Sequence, residues 1–215
     1  MRLRDGTTMV LRLLHLHNLE VCLKRGALHA ARHAPNDDLV WLDTHRADVQ
    51  EKRDGKRVTV GTGGTLLDYV PFHFGPRSPM PYQLHTGYVP GFTGGQEELV
   101  YVVASAESIV EAGHAIVVFD GHALSSLSRS CHDLSALPSL DWETIAAERW
   151  NNTSDDPDRQ RRKQAEFLVH RALPWSLVRG VVVLNALVEN RVRGLYSSVG
   201  CVHQPEVVVR PHWYY

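Results

Sequence analysis

The sequence has few cysteines and no long apolar run. Its three cysteines are odd in number and form no C-x-x-C pair, which argues against a disulfide framework or a thiolate zinc site. The longest apolar run, 180–188, is interrupted by Asn185 and is far shorter than the ~20 residues of a membrane span. Because Arg12 and His15 break the apolar stretch near the start, no secretory leader is expected. We therefore expect a soluble protein of the reducing cytoplasm, with no membrane contact.

An excess of charge of either sign is also missing. The chain has 23 basic and 24 acidic residues and a net charge of −1, so no global positive field attracts it to DNA or membranes. Any nucleic-acid contact must be local. The basic residues are nevertheless 19 arginines and only 4 lysines. Arginine suits bidentate recognition of phosphate, although high-GC coding produces the same bias.

The length and the pattern of apolar residues predict one α+β domain over 1–215, which we take to be a monomer. Residues 34–64 are polar and predict a long functional or mobile loop with at most a helical turn. The predicted helices cover 18–24, capped by Asn18 and closed by Gly26, then 106–112, 140–150 and a segment starting at Asp156. Strands are predicted over 10–16, 69–74, 99–105, 115–119, 166–170, 180–187 and 207–210. The order shows no regular βαβ alternation, which favours the α+β class.

Several common catalytic and cofactor motifs are absent. The glycines at 61–64 and 91–95 fit neither G-x-G-x-x-G nor G-x-x-x-x-G-K-[ST], and no G-x-S-x-G is found. The sequence therefore excludes a classical dinucleotide-binding or P-loop domain and a serine-hydrolase elbow.

Two charged or ligand-rich patterns each allow two interpretations. His15 and His17 lie two apart on a predicted strand and could share a metal ion, but no local carboxylate completes the site. We favour a structural or substrate-contacting role for these histidines and assign no metal.

The charged cluster at 155–163 has acidic residues followed by basic residues. This order suits a helix start through the macrodipole, or it supplies a basic surface for phosphates.

Glu166 and His122 are the most informative single residues. Glu166 enters the apolar run 167–169 directly, so its carboxylate lies at the rim of the core and needs either an ion-pair partner, such as a neighbouring arginine, or a catalytic task. His122 follows a strand and an Asp-Gly turn. It either projects into a cleft from a rigid edge or is an exposed turn residue.

Several sequence blocks resemble, in order, the DarT family of bacterial toxins, which ADP-ribosylate bases of single-stranded DNA. The similarity runs from about His15 to Tyr215, and its most specific block is the first. The blocks are D-Y-V-P-F-H-F-G-P-R-S-P-M at 68–80, G-G-Q at 94–96, D-G-H-A at 120–123, D-P-D-R at 156–159 and Q-A-E-F-L-V at 164–169.

The resemblance implies an ADP-ribosyltransferase fold, a split pair of β-sheets with surrounding helices and a cleft for NAD+. Such enzymes break the nicotinamide–ribose bond through an oxocarbenium-like transition state. A carboxylate aimed at that ribose stabilises the positive charge. By family motif this carboxylate is Glu166, the residue already identified from its position in the chain.

The resemblance also implies a functional arginine. The family carries a segment of the form I-K-x-R-R, and V-Q-E-K-R at 49–53 is similar to it, so Arg53 is the matching residue and Arg57 the fallback. The implied roles of Arg53 are to grip the cofactor phosphates and to help handle the acceptor proton. We favour the anchoring role, because the pKa of arginine makes it a poor general base.

The N-terminal motif departs from the family. The family form is H-x-T-H-x-x-N-L, in which the first His contacts NAD+. Aligned on Asn18 without a gap, that His becomes Arg12; with a three-residue deletion it becomes His15, with His17 in place of the Thr. We prefer the second alignment, because an apolar strand flanks His15. It assigns His15, Leu16 and His17 to cofactor binding.

For the acceptor, the resemblance implies an unpaired DNA base, because the edge attacked is otherwise used in pairing. His122 is expected to contact a base or phosphate. Arg77, Met80, Arg159 and Arg162 are further candidates for the DNA groove. The family also implies a separate macrodomain antitoxin that reverses the modification.

Three alternatives remain open from the sequence. Within the family, thymine and guanine are both targets, and we place thymine first. A NAD+ glycohydrolase, or a transferase of the same fold acting on RNA or protein, shares the cofactor chemistry. An inactive nucleic-acid-binding relative is the alternative outside enzymes. The presence of Glu166 and Arg53 argues against the last.

Overall fold

The structure, a computed structural model, describes residues 1–3 and 5–215. The strands are β1 (Met9–His15), β2 (Ala27–His29), β3 (Tyr69–His73), β4 (Leu99–Ser105), β5 (Ile116–Phe119), β6 (Ser130–Cys131), β7 (Glu166–His170), β8 (Ala172–Pro174), β9 (Val178–Val183) and β10 (Glu206–Val209). The α-helices are α1 (Leu16–Arg25), α2 (Ala47–Gly55), α3 (Pro79–His85), α4 (Ala106–Glu111), α5 (Trp142–Ala146), α6 (Arg159–Lys163) and α7 (Ala186–Val199).

The large sheet has the order β10-β9-β4-β1-β3-β7-β5-β6 and is split in the middle. β1 pairs with β4 along its whole length, whereas among the described residues it pairs with β3 only at Leu11 and His73. Pro71 marks this local edge. It has no N–H to donate, and its carbonyl accepts from Arg12 Nη1 at 2.9 Å across the gap. The expected α+β fold with a split pair of sheets is confirmed.

The packing of the core follows this split. One core spans both halves on one face of the sheet, with Val10, Val102 and Phe167 among its members. The opposite face carries two separate cores, one around Tyr101 beside β1 and β4, the other around Leu168 beside β5 and β7. Because the two smaller cores do not merge, a cleft remains between the halves.

The N-cap of helix α1 lies three residues earlier than expected. His15 is its N-cap and accepts the N–H of His17 through Nδ1, so Asn18 is not the cap. The C-terminal prediction is confirmed. Gly26 adopts φ 65°, and its N–H closes the helix on the carbonyls of Cys22 and Leu23.

Other boundaries differ because side chains satisfy the ends of the elements. The helix expected over 140–150 covers only Trp142–Ala146. The buried Lys163 ammonium ends it by donating hydrogen bonds to the carbonyl oxygens of Ile145 and Ala147. The strand expected to reach 187 stops at Val183, because Asn185 caps α7. The segment after Asp156 turns helical only at Arg159, since the Asp156 carboxylate binds Arg162 instead of capping.

Three helices were not foreseen. α3 and α7 escaped the sequence analysis, and α2 lies inside the stretch 34–64 that was expected to be a loop. Within the described ranges 1–3 and 5–215, no helix is long and apolar enough to cross a membrane.

Candidate active site

Glu166 is the first residue of β7 and lies beside the split. Its neighbours across the sheet are His73 on β3 and Phe119 on β5. Because side chains alternate along a strand, Glu166 shares a face with Leu168 and, on β3, with Pro71 and His73. Its side chain is 1% exposed, yet it lines the cleft. The carboxylate therefore sits at the rim of the core, as its sequence context indicates.

Two donors hold this carboxylate. Arg53 Nη1 donates to Oε2 at 3.0 Å, and the Ala123 N–H donates to Oε1 at 2.8 Å. Burial acts to raise the pKa of Glu166, but the charge of Arg53, with help from His73, His122 and the Ala123 N–H, outweighs it and lowers the pKa below its ordinary value. Glu166 is thus ionised at neutral pH. Its ion-pair partner comes from α2 and not from the nearby arginines on α6.

Arg53 is the one buried residue of α2. The other residues of the helix are partly or fully exposed, so α2 buries one guanidinium and no apolar face. Nη1 is used by Glu166, whereas Nη2 is buried and has no hydrogen-bond partner among the described residues. A buried donor without a partner costs about 1–3 kcal/mol. Arg53 therefore has both a fixed orientation and unused donor capacity in the wall of the cleft.

The turn after β5 supplies His122 and the Ala123 N–H. It packs tightly at Gly121, where a Cβ would lie 2.9 Å from the Arg161 carbonyl oxygen, the same oxygen that accepts the His122 N–H. Arg161 itself is fixed by Asp120 and Asp158. Burial first, and then Arg53, lowers the pKa of His122 against the opposing charge of Glu166. His122 is therefore a neutral imidazole at pH 7.

The cleft has a volume of about 1110 Å³, slightly above the usual range for ligand pockets. Several polar atoms in the wall of the cleft form no hydrogen bond with the described residues. Arg12 Nε and His73 Nδ1 are buried without a partner among the described residues, like Arg53 Nη2. Burial, with Arg12 and Arg53, lowers the pKa of the cleft residue His45 to about 4. Two of the cleft arginines, Arg12 and Arg53, have unused buried donors, and Glu166 is the one buried acid among the described residues of the lining. This arrangement suits a long, anionic ligand with a ribose near the carboxylate, so the residues fit NAD+.

Side chains of α1 fix one wall of this cleft, the segment 37–42. Asn18 is buried and forms two hydrogen bonds with the backbone of Leu42, at 2.8 and 2.9 Å. His17 Nε2 contacts the Val40 carbonyl at 2.9 Å, and Arg25 pairs with Asp37. This explains why the polar stretch after α1 is ordered against the cleft although it has little secondary structure.

The residues predicted for cofactor binding at 15–17 lie beside the main cleft. His15 lines a neighbouring cavity of about 310 Å³, which shares Asp43 and Thr44 with the cleft. Leu16 is buried in the core, and His17 holds the wall segment. Arg12, which the ungapped alignment selects, lines the main cleft directly. The assignment of His15, Leu16 and His17 to NAD+ remains a prediction.

The four further candidates for the DNA groove are placed unequally. Met80 lines the cleft, and Arg77 stacks 5.0 Å over the ring of Tyr215. Arg159 is half-buried at the start of α6. Arg162 is engaged by Asp141 and Asp156, which favours the structural interpretation of the charged cluster for this residue.

Sequence reasoning gave Arg12 only as the ungapped alternative to His15, and it missed His73. Arg12 interrupts the apolar strand β1, and that signal was set aside in favour of His15. His73 faces Glu166 only through the register of β3 and β7, which the sequence does not specify. Among the described residues, the group with ligand atoms close enough for a metal is Cys131, His132 and Asp133, and none of the three lines the cleft.

The split sheet, the cleft and a buried carboxylate held by an arginine define an ADP-ribosyltransferase that uses NAD+. Residues 11–215 match the family model for the single-stranded DNA thymidine ADP-ribosyltransferase DarT. The chain belongs to the DarT family and is a DNA ADP-ribosyltransferase, as the resemblance implied.

Similar proteins agree with this membership. The DNA ADP-ribosyl transferase of Thermus sp. strain 2.9 is 36% identical over 208 residues, covering 97% of this chain and 96% of that protein. The structure of that DarT with ADP-ribosylated single-stranded DNA superimposes with a TM-score of 0.90 at 35% identity, over 97% and 96% of the two chains. Its complex with NAD+ gives a TM-score of 0.86 at 32% identity over the full length of both chains.

Proposed function

We propose that this enzyme transfers ADP-ribose from NAD+ to an unpaired thymine of single-stranded DNA and releases nicotinamide. The observation that carries the proposal is the ionised, buried Glu166 in a cleft with unused arginine donors. The family description names thymidine, and this supports thymine over guanine. The Thermus relative with its ADP-ribosylated single-stranded DNA supports the acceptor class.

Glu166 is the group that stabilises positive charge on the reacting ribose. When bound, NAD+ supplies the ADP-ribosyl group and nicotinamide as the leaving group. The Glu166 carboxylate accepts a hydrogen bond from a ribose hydroxyl and places fixed negative charge beside the sugar. Arg53 and the Ala123 N–H hold it in place beforehand, so little reorganisation is needed during the reaction.

Arg53 and Arg12 anchor the anionic part of the ligand. Their unused buried donors, Arg53 Nη2 and Arg12 Nε, suit phosphate oxygens. Trp41, on the wall that Asn18 fixes, adds an apolar surface to the same cleft.

His122 handles the acceptor proton. The attacking nitrogen on the pairing edge of thymine must lose its proton as the new bond forms. A neutral imidazole can accept that proton at pH 7, whereas the always-charged Arg53 cannot. Arg53 therefore acts by anchoring and by orienting Glu166.

We further propose that the protein, a monomer of one domain over 1–215, is the toxin of a toxin–antitoxin pair in the cytoplasm. An ADP-ribosyl group on the pairing edge of a base blocks templating, which makes the product harmful to the cell. A separate macrodomain protein that removes the group is the matching antitoxin.

Mass spectrometry of short single-stranded oligonucleotides tests the activity. Each oligonucleotide carries one thymine or one guanine and is incubated with enzyme and NAD+. We expect one ADP-ribose adduct on the thymine oligonucleotide. An adduct on guanine alone would reassign the base. Nicotinamide release without any adduct would overturn the DNA acceptor and favour a glycohydrolase, and neither product would indicate an inactive binding protein.

A further inference from the structure

Three different metal-ligand types stand in consecutive positions at the end of β6: the thiol of Cys131, the imidazole of His132 and the carboxylate of Asp133. One ligand atom from each residue lies within 4.8 Å of the other two. Cys131 is half-buried, and His132 and Asp133 are exposed, so an ion can reach all three from solvent. We call these residues the C-H-D group.

The backbone of the C-H-D group is held by two neighbouring segments. Cys131 pairs with Val118 on β5. A Cβ on Gly61 would lie 3.3 Å from the Cβ of His132, so the loop before β3 packs directly against this residue. The ligand atoms are therefore brought together by the fold, and side-chain rotation alone can bring them to one point.

The carboxylate of Asp133 has capacity left for a cation. Its Oδ1 accepts the Ser135 N–H at 2.8 Å and lies 3.4 Å from Cys131 Sγ. Within the part of the chain that the structure describes, Oδ2 accepts no hydrogen bond, and no lysine or arginine pairs with Asp133. A partly fixed acid without a basic partner beside a thiol and an imidazole suits a metal ion.

The spacing and the charge of the group fit zinc. Tetrahedral zinc places its sulfur, nitrogen and oxygen ligands about 3.4–3.6 Å apart. The distance of 3.4 Å between Cys131 Sγ and Asp133 Oδ1 matches this value. A thiolate and a carboxylate balance the two charges of the ion. Thiolate and imidazole ligands favour zinc-like ions, whereas Mg²⁺ and Ca²⁺ prefer oxygen ligands alone.

We propose that Cys131, His132 and Asp133 bind one divalent transition-metal ion of the zinc type, with water in the fourth position. The ion takes the place of the thiol proton of Cys131, which passes to solvent. The bonds formed are those of the ion to Sγ, to one imidazole nitrogen and to one carboxylate oxygen.

The ion lies at the closing end of the turn 120–129, which helps to hold Glu166. This turn leaves β5 at Phe119 and returns at Ser130, and these two residues pair with each other. Phe119 also pairs with Glu166, so Cys131 lies on the opposite face of the sheet from Glu166. None of the three ligands lines the cleft. The ion therefore stabilises the turn and takes no part in the transfer reaction.

A second thiol and imidazole in the chain provide a matched control. Cys201 and His203 are also close in sequence, and Cys201 is half-buried like Cys131. However, His203 Nε2 contacts the Val178 carbonyl oxygen at 2.7 Å, and Cys201 Sγ donates to the His203 carbonyl oxygen at 3.0 Å. Both groups are thus already engaged, and we expect no ion there.

Titration of the reduced protein with Co²⁺, followed by competition with Zn²⁺ and Mg²⁺, tests the site. We expect one Co²⁺ per chain with the near-ultraviolet absorption of a cobalt–thiolate bond, displaced by Zn²⁺ but not by Mg²⁺. Loss of a residue that supports a metal ligand weakens binding about 10–100-fold, so loss of a ligand should cost at least about a hundredfold. Cys131→Ser and His132→Asn should show this loss, and Cys201→Ser should bind like the parent.

Asp133→Asn separates the ligand role of Asp133 from its structural role. Asparagine also caps helices, so this variant keeps the hydrogen bond to the Ser135 N–H while losing the charge. It should fold like the parent by circular dichroism and bind Zn²⁺ at least about tenfold more weakly. In thermal unfolding, Zn²⁺ at about a hundred times its Kd should raise the Tm of the parent by about 5 °C and leave that of Cys131→Ser unchanged.

The result that would overturn the site is equal Zn²⁺ affinity in the parent and in folded Cys131→Ser, or no cobalt–thiolate absorption in the parent. These measurements use neither NAD+ nor DNA, so they are independent of the proposed function. Nicotinamide release should be the same with Zn²⁺ and after its removal by a chelator. A release that required the ion would overturn the conclusion that it takes no part in transfer.

Discussion

Arg53→Ala should destabilise the fold as well as the reaction, because it leaves Glu166 charged and buried. The two side chains are 9% and 1% exposed and lie 3.0 Å apart. Removing one partner of a buried ion pair costs about 3–5 kcal/mol of the free energy of unfolding. The exposed pair Arg32–Asp54 is the matched control, and Arg32→Ala should cost less than about 1 kcal/mol. Urea unfolding at pH 7, followed by tryptophan fluorescence, measures both.

A double variant isolates the pair from other effects of the substitution. Glu166→Gln leaves Arg53 without its counter-charge, and Arg53→Ala leaves Glu166 without its own. The loss in the free energy of unfolding of the double variant should therefore be smaller than the sum of the losses of the two single variants. We expect this coupling free energy to be about 1–3 kcal/mol. Simple additivity, or a loss in Arg53→Ala no larger than in Arg32→Ala, would refute the view that this pair is tightly coupled.

The same variant has a defined pH dependence. In the parent, the lowered pKa of Glu166 adds stability that is present above the ordinary value and lost as the pH falls through the folded value. In Arg53→Ala, burial dominates and raises the pKa of Glu166, so folding takes up a proton and the variant gains relative stability in acid. The difference in the free energy of unfolding between the parent and Arg53→Ala should therefore become smaller as the pH falls from about 7 to 5. A constant difference would contradict this.

Three further predictions concern the reaction. In the pH–rate profile, the fall in rate on the acid side should have its midpoint below pH 6.5, the ordinary pKa of histidine, because the pKa of His122 is lowered. In His122→Asn the rate should fall at all pH values, and this acid-side dependence should disappear. Asn18→Ala should loosen the cleft wall at Leu42 and raise the KM for NAD+ more than it lowers kcat, measured by nicotinamide release. Gly121→Ala should lower kcat, because its Cβ would press on the Arg161 carbonyl and displace the turn that holds Glu166; an unchanged kcat would contradict that contact.

The sequence predicts the carboxylate better than its surroundings. Glu166 stands out because one acidic residue interrupts an apolar run, a local signal that needs no knowledge of the fold. Its partner Arg53 lies 113 residues away, and only the resemblance to DarT pointed to it. The pairing of His73 with Glu166 depends on strand register, which no local pattern contains.

Element boundaries were least predictable where side chains end them. Lys163 shortens α5, and Asn185 stops β9 by capping α7. The segment 34–64 was expected to be a loop because its only inward-facing helical residue is Arg53. Amphipathic patterns detect apolar faces, so a helix that buries one guanidinium gives no signal.

We propose that Glu166 is the carboxylate that drives transfer. The most direct test measures adduct and nicotinamide together in single turnovers of the parent, Glu166→Ala and the control Glu143→Ala, an exposed acid on α5. We expect equal amounts of the two products in the parent and in Glu143→Ala. Glu166→Ala should form neither product while keeping its fold by circular dichroism. Transfer at the parent rate by folded Glu166→Ala would contradict it.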